Sequence, residues 1–463
     1  MKLTLIQACV GRRTGQKYLK GWQMEPLGLA AIAGLTPPEV KIAFHDDRME
    51  HIPYDAPTDL VAIAVETYSA KRAYQIASEY RRRGVPVVMG GFHATLCPDE
   101  ASQYAEAVVI GEAEDVWEKV LKDAERGTLL PYYRSVQRPS LVGLRPDRSI
   151  YAGKNYLPLA LVEATRGCQF GCEFCAIQAF TNNTQNVRPI DEIAAEVDRL
   201  RNKLLVFFVD DNFAMNKQYA KQLLRALIPL KIRWVSQTSI DAAHDEELLQ
   251  LMAASGCQGV LIGLESLNPQ NLKSMNKSFN MMKGGFEQAL ANLRRYRIRL
   301  YITFVFGYDE DTEASFEETV RFARRHKFFV TAFNHLVPFP GTPLYKRLEE
   351  EGRLLYDKWW LDDNYGFYMV PFQPAHMTPE RLERGCIEAR AAYYQWGSIW
   401  QRGLDSVNRT NPLIWLAFYW INYLFRQEVG LREHYPLGDE AWRGELIKVR
   451  ESPLPLPVSA QAG

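Results

Sequence analysis

Three of the chain's seven cysteines lie within eight consecutive positions, in the segment EATRGCQFGCEFCAIQAF at 163–180. Their spacing of i, i+4 and i+7 is compatible with Cys168, Cys172 and Cys175 on one face of a buried helix. Gly167 and Gly171 disfavour that arrangement, because each glycine destabilises a helix by about 1 kcal/mol. The glycines instead favour a loop that brings the three thiols together around a metal centre.

Zinc and iron-sulfur centres differ in the ligands they require. Structural zinc needs four ligands in a closed tetrahedron, and no histidine lies between His93 and His244 to complete one. An iron-sulfur cluster accepts ligation by thiolates alone, and with three thiolates one iron keeps a position for an exchangeable ligand. The cluster is therefore favoured over zinc, and a stripe of buried core thiols is the alternative without chemistry.

The motif CQFGCEFC, Cys168 to Cys175, resembles the CxxxCx(aromatic)C signature of the radical S-adenosylmethionine (SAM) superfamily, with Phe174 as the aromatic residue. It follows the strand-like segment LALVEAT, where that superfamily carries its motif. The resemblance implies that the three cysteines bind a [4Fe-4S] cluster whose fourth iron binds the amino and carboxylate groups of SAM. It also implies that an electron from the cluster cleaves SAM to a 5′-deoxyadenosyl radical.

Further segments resemble the SAM-contacting parts of the same superfamily, in the expected order. FFVDDNF is similar to the region that receives the methionine amino group, IGLES to a strand that faces SAM, and TFVFGYDE to the GxIxGxxE segment, with Thr303 where glycine is usual. An acid at a strand end is more often a cap or turn residue, so each segment is weaker alone than the set. The resemblance implies the SAM-binding residues Phe174, Asp210, Asp211, Glu265, Ser266, Val305 and Gly307.

The elements that must position these residues are short apolar runs alternating with amphipathic helices. In residues 1–127 this pattern predicts a doubly wound, Rossmann-like α/β domain. Residues 128–157 lose the periodicity, which predicts a linker. Six strand–helix repeats in 158–345 predict a partial (β/α)6 barrel of the TIM type, with its active site at the carboxyl ends of the strands. Residues 346–463 are expected to be mainly helical.

The N-terminal domain resembles the cobalamin-binding module of one radical SAM subgroup, through VETYSAKRAYQIASEYRRRGVPVVMGGFHATLCPDEA and AVVIGEAE. The DxHxxG motif of many cobalamin proteins is absent, since FHDDRMEHI around His45 does not fit it. A purely architectural domain is the alternative. Ligands of such sheets bind beyond the carboxyl ends of the strands, which predicts contacts from Glu66, Thr67, Tyr68, Ser69, Gly90, Gly91, Phe92, His93, Gly111, Glu112 and Glu114.

Composition limits the partners and the compartment. Lysine plus arginine equals aspartate plus glutamate, 55 of each, so no net charge favours a nucleic-acid partner. The odd number of cysteines argues against a disulfide framework, and MKLTLIQACVGRRTG has the wrong order of charges for a secretory signal, which predicts a cytoplasmic protein. The aromatic run at 411–425 is too short for a transmembrane span. It predicts either a packed helix or peripheral contact with a membrane.

These patterns predict a cobalamin-dependent radical SAM enzyme that acts on a small molecule, a hydrophobic one if the aromatic run serves it. The resemblance implies hydrogen abstraction from an unactivated carbon, methyl transfer from methylcobalamin, and an electron donor of the flavodoxin or ferredoxin type. The alternatives are a ring-forming or ring-rearranging enzyme without methylation, like the anaerobic tetrapyrrole cyclases, and a non-catalytic cluster or cobalamin sensor. The sequence identifies neither the substrate nor a catalytic side chain.

Overall fold

The computed structural model describes residues 1–18, 23–281, 284–429 and 434–450, and its first domain contains a six-stranded parallel sheet. The sheet order is β3-β1-β4-β5-β6-β7, and the short β2 lies outside it. In chain order the strands are β1 (Lys2–Gln7), β2 (Gly11–Arg12), β3 (Lys41–Asp46), β4 (Leu60–Ala64), β5 (Val87–Gly90), β6 (Ala107–Ile110) and β7 (Tyr132–Arg134). The helices are α1 (Leu27–Leu35), α2 (Ala70–Arg82), α3 (Phe92–Leu96), α4 (Pro98–Tyr104) and α5 (Trp117–Glu125).

Both faces of this sheet are buried, because alternate strand residues point to opposite sides. In β4, Val61 and Ile63 pack in one core cluster with α2, α3 and α4. Leu60 and Ala62 pack in a second cluster with α1 and α5. The predicted doubly wound, Rossmann-like domain is confirmed.

The sheet extends beyond the N-terminal domain predicted at 1–127. Strand β7 lies in the segment predicted as linker and pairs with β6, with Val108 opposite Tyr132. Its three residues follow Pro131 and are too few to show a periodicity in the sequence. The domain boundaries at residues 127 and 157 stay predictions, although the segment 128–157 between them contains strand β7 near its start.

A second parallel sheet of six strands forms the predicted partial barrel, in the order β15-β14-β13-β12-β11-β8. Its strands are β8 (Leu159–Val162), β11 (Leu205–Phe208), β12 (Trp234–Gln237), β13 (Cys257–Glu265), β14 (Arg299–Phe306) and β15 (Val330–His335). An antiparallel hairpin of β9 (Thr165–Gly167) and β10 (Gln185–Val187) follows the first strand. The helices are α6 (Ala176–Thr181), α7 (Ile190–Leu200), α8 (Lys217–Leu227), α9 (Glu246–Ala254), α10 (Pro269–Ser274), α11 (Gly285–Arg295) and α12 (Glu313–His326).

The C-terminal region, expected to be mainly helical over 346–463, contains helices separated by irregular segments, and it also joins the two domains. Trp359, Trp360 and Tyr365, which lie between helices, are buried in the core of the N-terminal domain. The helices are α13 (Pro343–Glu350), α14 (Pro379–Tyr393), α15 (Trp396–Gly403) and α16 (Pro412–Glu428), and the short strands are β16 (Gly366–Phe367), β17 (Tyr435–Pro436) and β18 (Gly438–Asp439). Strand β18 pairs with β2 near the amino terminus. Within the described residues, we found no helix with the length and apolar character needed to cross a bilayer.

Candidate functional site

The three cysteines lie on a loop between β9 and α6, which begins directly after Cys175. The loop leaves the barrel through Gly167, whose φ of 95° lies in the left-handed region. A Cβ atom at this position would lie 2.2 Å from the carbonyl oxygen of Thr184 in the hairpin. Glycine is therefore required immediately before Cys168, and the predicted loop replaces the alternative of a helical stripe.

The thiols share one partly buried environment. Burial and the nearby Cys175 and Cys168 raise the pKa of Cys172 to about 12, against the opposing effect of the Lys277 ammonium. Metal binding displaces thiol protons, so these thiols become thiolates when they hold a cluster. Among the described residues, no three side chains of His, Cys, Asp or Glu converge closely enough to hold a single metal ion. The donor set of three thiols on one loop fits a polynuclear iron-sulfur cluster.

Asp210 and Asp211, predicted to bind SAM, hold the backbone that leads into this loop. The Asp210 carboxylate accepts hydrogen bonds from the N–H groups of Ala164 at 3.2 Å and Thr165 at 2.6 Å. Asp211 accepts one from Gly167 N–H at 2.7 Å. Burial raises the pKa of Asp210 to about 7 and that of Asp211 to about 6. Asp210 is completely buried, so its observed role is to position the loop.

Glu265 lies at the end of β13 beside the cysteine loop, with a φ of 64° in the left-handed region. Its carboxylate accepts a hydrogen bond from Lys277 Nζ at 2.7 Å and one from Thr303 Oγ1 at 3.4 Å. Lys277 lies 6.0 Å from the centre of the Phe174 ring. The sequence prediction missed Lys277, although the neighbouring IGLES segment marks this region. Thr303, which stands where the superfamily segment usually has glycine, therefore donates a hydrogen bond to Glu265.

The remaining residues predicted to bind SAM lie at the ends of β13 and β14. Ser266 Oγ accepts a hydrogen bond from the Asn268 N–H at 3.1 Å. Gly307 N–H donates to an Asp311 carboxylate oxygen at 2.9 Å, and Val305 lies in β14 two residues earlier. The structure places these residues at one end of the barrel, which agrees with the predicted strand-end location.

A clamp from helix α13 holds the cysteine loop on its other side. Arg347 Nε donates to the Glu173 carboxylate at 2.7 Å, and Leu344 N–H donates to the Glu173 carbonyl oxygen at 3.1 Å. Glu173 lies between Cys172 and Phe174 in the motif. The segment PFPGTPLY at 338–345 therefore positions the first turn of α13 against the cysteine loop. The spacing of residues in the sequence did not reveal this contact.

A cavity of about 470 Å³ lies at the carboxyl ends of the N-terminal strands, between that sheet and the cysteine side of the barrel. The barrel wall contributes Glu163, Arg166 and Asp211. From the predicted set the lining includes Glu66, Gly90, Gly91, Phe92, Gly111, Glu112 and Glu114. Most of the predicted cobalamin contacts, which were chosen because they follow strands, therefore lie together in this cavity.

Four residues of the predicted set lie outside the cavity lining. Thr67, Tyr68 and Ser69 form a turn of 3-10 helix that leads into α2, and Tyr68 packs in the aromatic core between the domains. His93 is fully buried and lies 3.1 Å from a Glu100 carboxylate oxygen. The rule that ligands bind beyond the carboxyl ends of the strands locates the correct edge of the sheet. It does not determine which way each side chain points.

Arg166 connects the two walls of the cavity. Its Nη1 atom lies 2.6 Å from Glu114 and 3.1 Å from Glu112, which belong to the N-terminal domain. Its Nε atom donates to Glu163 of the barrel side at 2.9 Å. Arg166 precedes Cys168 by two residues, so the cysteine loop and the N-terminal domain share this side chain.

The cavity has a largely apolar wall with glycines at the strand ends. Side chains of α1 and the sheet make much of its wall apolar, and a Cβ atom at Gly111 would meet no atom within 4 Å. Glycine at the strand ends lets a large ring approach the backbone closely. The described lining includes no histidine. Apolar side chains and strand-end glycines are the groups that would hold a corrinoid here.

Known proteins are similar to this chain in sequence. A family model for the radical SAM superfamily matches residues 162–323. The chain is 33% identical over 414 residues to the bacteriochlorophyllide d C-12(1)-methyltransferase of Chlorobaculum tepidum, a match that covers 87% of this chain and 88% of the relative.

Two solved structures share the fold. One is the radical SAM methyltransferase TsrM from Kitasatospora setae with cobalamin and a [4Fe-4S] cluster bound, at a TM-score of 0.60 and 19% identity, covering 76% of this chain and 75% of that one. The other is the cobalamin-dependent SAM radical enzyme OxsB with aqua-cobalamin bound, at a TM-score of 0.65 and 14% identity, covering 92% of this chain and 71% of that one. With the radical SAM family model over 162–323 and the 33% identity to a methyltransferase over most of both chains, the chain belongs to the radical SAM superfamily and to the family of this methyltransferase.

Proposed function

We propose that this protein is a radical SAM C-methyltransferase that uses a [4Fe-4S] cluster, SAM and cobalamin. The observation that carries the proposal is the cavity between the strand ends and the cysteine side of the barrel, whose wall includes Arg166, two residues before Cys168. A cluster held by the cysteine loop and a corrinoid in the cavity would then be separated by the Arg166 side chain. When bound, the cluster supplies the electron that cleaves SAM, and the corrinoid supplies the methyl group.

The protein's own residues position these groups. Cys168, Cys172 and Cys175 would hold the cluster, and the backbone before and around them is fixed by Asp210, Asp211 and Glu173. For SAM we retain Phe174, Asp211, Glu265, Ser266, Val305 and Gly307 as proposed contacts, and Asp210 acts through the backbone that it holds. For cobalamin we retain the seven predicted residues that line the cavity: Glu66, Gly90, Gly91, Phe92, Gly111, Glu112 and Glu114.

The proposed substrate is a large hydrophobic ring molecule, and a chlorophyll-type tetrapyrrole is the first candidate. The supporting observation is the relative that acts on bacteriochlorophyllide d, which is similar over 87% of this chain. The proposed electron donor is a small protein of the flavodoxin or ferredoxin type, as the class of reaction requires a one-electron reductant.

The decisive experiment uses protein purified without oxygen and supplied with cobalamin. We expect corrinoid absorption bands and about four irons per chain. With SAM, a chemical reductant and bacteriochlorophyllide d, mass spectrometry should detect 5′-deoxyadenosine, S-adenosylhomocysteine and a product heavier by one methylene. The Cys172→Ser variant should lose iron and both SAM products, whereas Cys386→Ser, which alters a buried cysteine of α14, should retain them.

The same experiment separates the alternatives. A converted tetrapyrrole without S-adenosylhomocysteine would refute methylation and favour a cyclase or ring-rearranging enzyme. Bound cofactors without any SAM cleavage, under reducing conditions with each candidate substrate, would indicate a sensor. Iron without corrinoid bands would exclude the cobalamin mechanism.

We also propose that the protein is cytoplasmic and contacts a membrane through a C-terminal apolar face on α15 and α16. This face consists of half-exposed tryptophans and leucines: Trp396, Trp400, Leu404, Leu413, Leu416, Trp420 and Leu424. The exposed charged residues of α15, α16 and the turn between them are Arg409, Arg426 and Glu428, so two of the three are cationic. Tryptophan at an apolar surface beside cationic side chains suits the interface of an anionic bilayer.

Vesicle flotation tests this surface. Liposomes of phosphatidylcholine with phosphatidylglycerol should carry the protein upward, and Leu416→Asp should abolish flotation because it places a charge in the apolar face. Leu355→Asp makes the same change at a half-exposed leucine elsewhere and should float normally. Equal flotation of both variants would refute membrane contact through this face.

A further inference from the structure

Glu66 differs from the other acids of the cavity in its electrostatic surroundings. It follows β4, and its side chain is open to the cavity. No lysine, arginine or histidine of the described residues lies within ion-pair distance of its carboxylate, and burial by the surrounding protein raises its pKa to about 7. Its neighbours in the lining are paired: Glu112 with Arg138 and Arg166, Glu114 with Arg166, Glu163 with Arg166, and Asp211 with the Gly167 N–H.

Glu66 is exposed to the cavity in the empty protein, and it forms a capping box with Ser69 at the start of the following turn. A ligand in the cavity would remove water from a carboxylate that has no cation nearby. Since Glu66 joins no ion pair between elements, the fold gains no salt bridge from its charge. The side chain instead opens into the space where the proposed corrinoid would lie, which indicates a role toward the ligand.

We propose that Glu66 faces the corrin ring from the side of the N-terminal sheet and sets how readily the bound cobalt accepts an electron. The inference rests on the proposed function, because it requires a corrinoid in this cavity. Glu66 follows strand β4 of the N-terminal sheet, whereas Arg166 and Asp211 belong to the barrel side, and all three line the same cavity.

The electrostatic reason is direct. Outside the sphere of metal ligands, charge, hydrogen bonding and burial determine the reduction potential of a bound metal. A carboxylate close to the ring in a partly desolvated cavity disfavours an added electron, because charges interact more strongly there than in water. Replacement of Glu66 by a neutral side chain of the same size therefore makes the reduction of cobalt from the +2 to the +1 state easier.

The test measures the Co(II)/Co(I) midpoint potential of the cobalamin-loaded protein by anaerobic spectroelectrochemistry at pH 8, where the Glu66 carboxyl is mostly ionised. We expect Glu66→Gln to shift the potential in the positive direction. Glu66→Asp keeps the charge and should stay close to the unaltered protein. Glu118→Gln makes the same chemical change on an exposed part of α5 and should leave the potential unchanged, because solvent screens that site.

The thermal midpoint of the cofactor-free variants distinguishes this role from misfolding. Since Glu66→Gln alters an exposed side chain, the empty variant should melt close to the unaltered protein at pH 8. A variant with unchanged potential, or one whose potential shifts no more than that of Glu118→Gln, would overturn the proposal. If the unaltered protein shows no corrinoid spectrum, the proposed cofactor fails and this role fails with it.

Discussion

Replacement of Arg166 by glutamine should weaken the contact between the cysteine loop and the N-terminal domain. The guanidinium lies 2.6 Å from Glu114, 3.1 Å from Glu112 and 2.8 Å from Glu163, and its side chain is 18% exposed. Loss of one partner from a buried ion pair costs about 3–5 kcal/mol, because the remaining charges lack compensation. Glu112 keeps Arg138 at 2.7 Å, so we expect a loss of about 3 kcal/mol.

Two measurements test this prediction. Urea unfolding of the cofactor-free protein gives the loss of stability, and Arg321→Gln provides the matched control. Arg321 pairs with Glu317 on the surface of α12, and such exposed pairs contribute about 0–1 kcal/mol. The second measurement is the ratio of 5′-deoxyadenosine to methylated product, which should rise in Arg166→Gln because SAM is still cleaved while the methyl donor is less well placed.

The reasoning would be refuted by an Arg166→Gln variant that loses less than about 1 kcal/mol and keeps the product ratio of the unaltered protein. Arg166→Lys refines the result. Lysine keeps the charge but lacks the planar fork that contacts several carboxylates at once, so it should recover part of the stability and leave the product ratio raised.

Three further predictions concern the loop, the domain contact and acid stability. Gly167→Ala places a Cβ atom 2.2 Å from a carbonyl oxygen and should reduce iron per chain after anaerobic reconstitution, whereas Gly171→Ala, with its nearest atom at 3.9 Å, should bind iron normally. Trp359→Ala removes a fully buried indole and should cost about 3–5 kcal/mol in urea unfolding. Although burial opposes it, Arg72 lowers the pKa of Asp47 to about 2. The stability from this pair is therefore complete above about pH 4 and lost toward pH 2, so Asp47→Asn should destabilise the protein by about 2 kcal/mol at pH 7 and little at pH 2.

The sequence predicted those parts of the fold that depend on local patterns. Each barrel strand appears as a short apolar run, and the positions of Cys168, Cys172 and Cys175 between glycines indicate a loop. Strand β7 escaped detection because three residues carry no periodicity. Local patterns therefore predict long, regular elements well and short edge strands poorly.

The supporting contacts of the site join residues that are far apart in the chain. Glu173 and Arg347 are partners across 174 positions, and Arg166 and Glu114 across 52. No spacing rule relates such residues, because their proximity depends on how two domains pack. The sequence offers one signal for these contacts, which is that Arg166 lies two residues before Cys168.

The relative position of the two domains depends on more than Arg166. Tyr68 of the N-terminal domain packs against Phe339 and Trp359 at centroid distances of 5.9 and 5.0 Å. Trp360 Nε1 donates to the buried Glu100 carboxylate at 2.9 Å. Tyr68 and Trp360 pack in the core cluster that includes α2 and α4. Ion pairs at the cavity and aromatic packing in this cluster therefore both restrain the N-terminal domain relative to the rest of the chain.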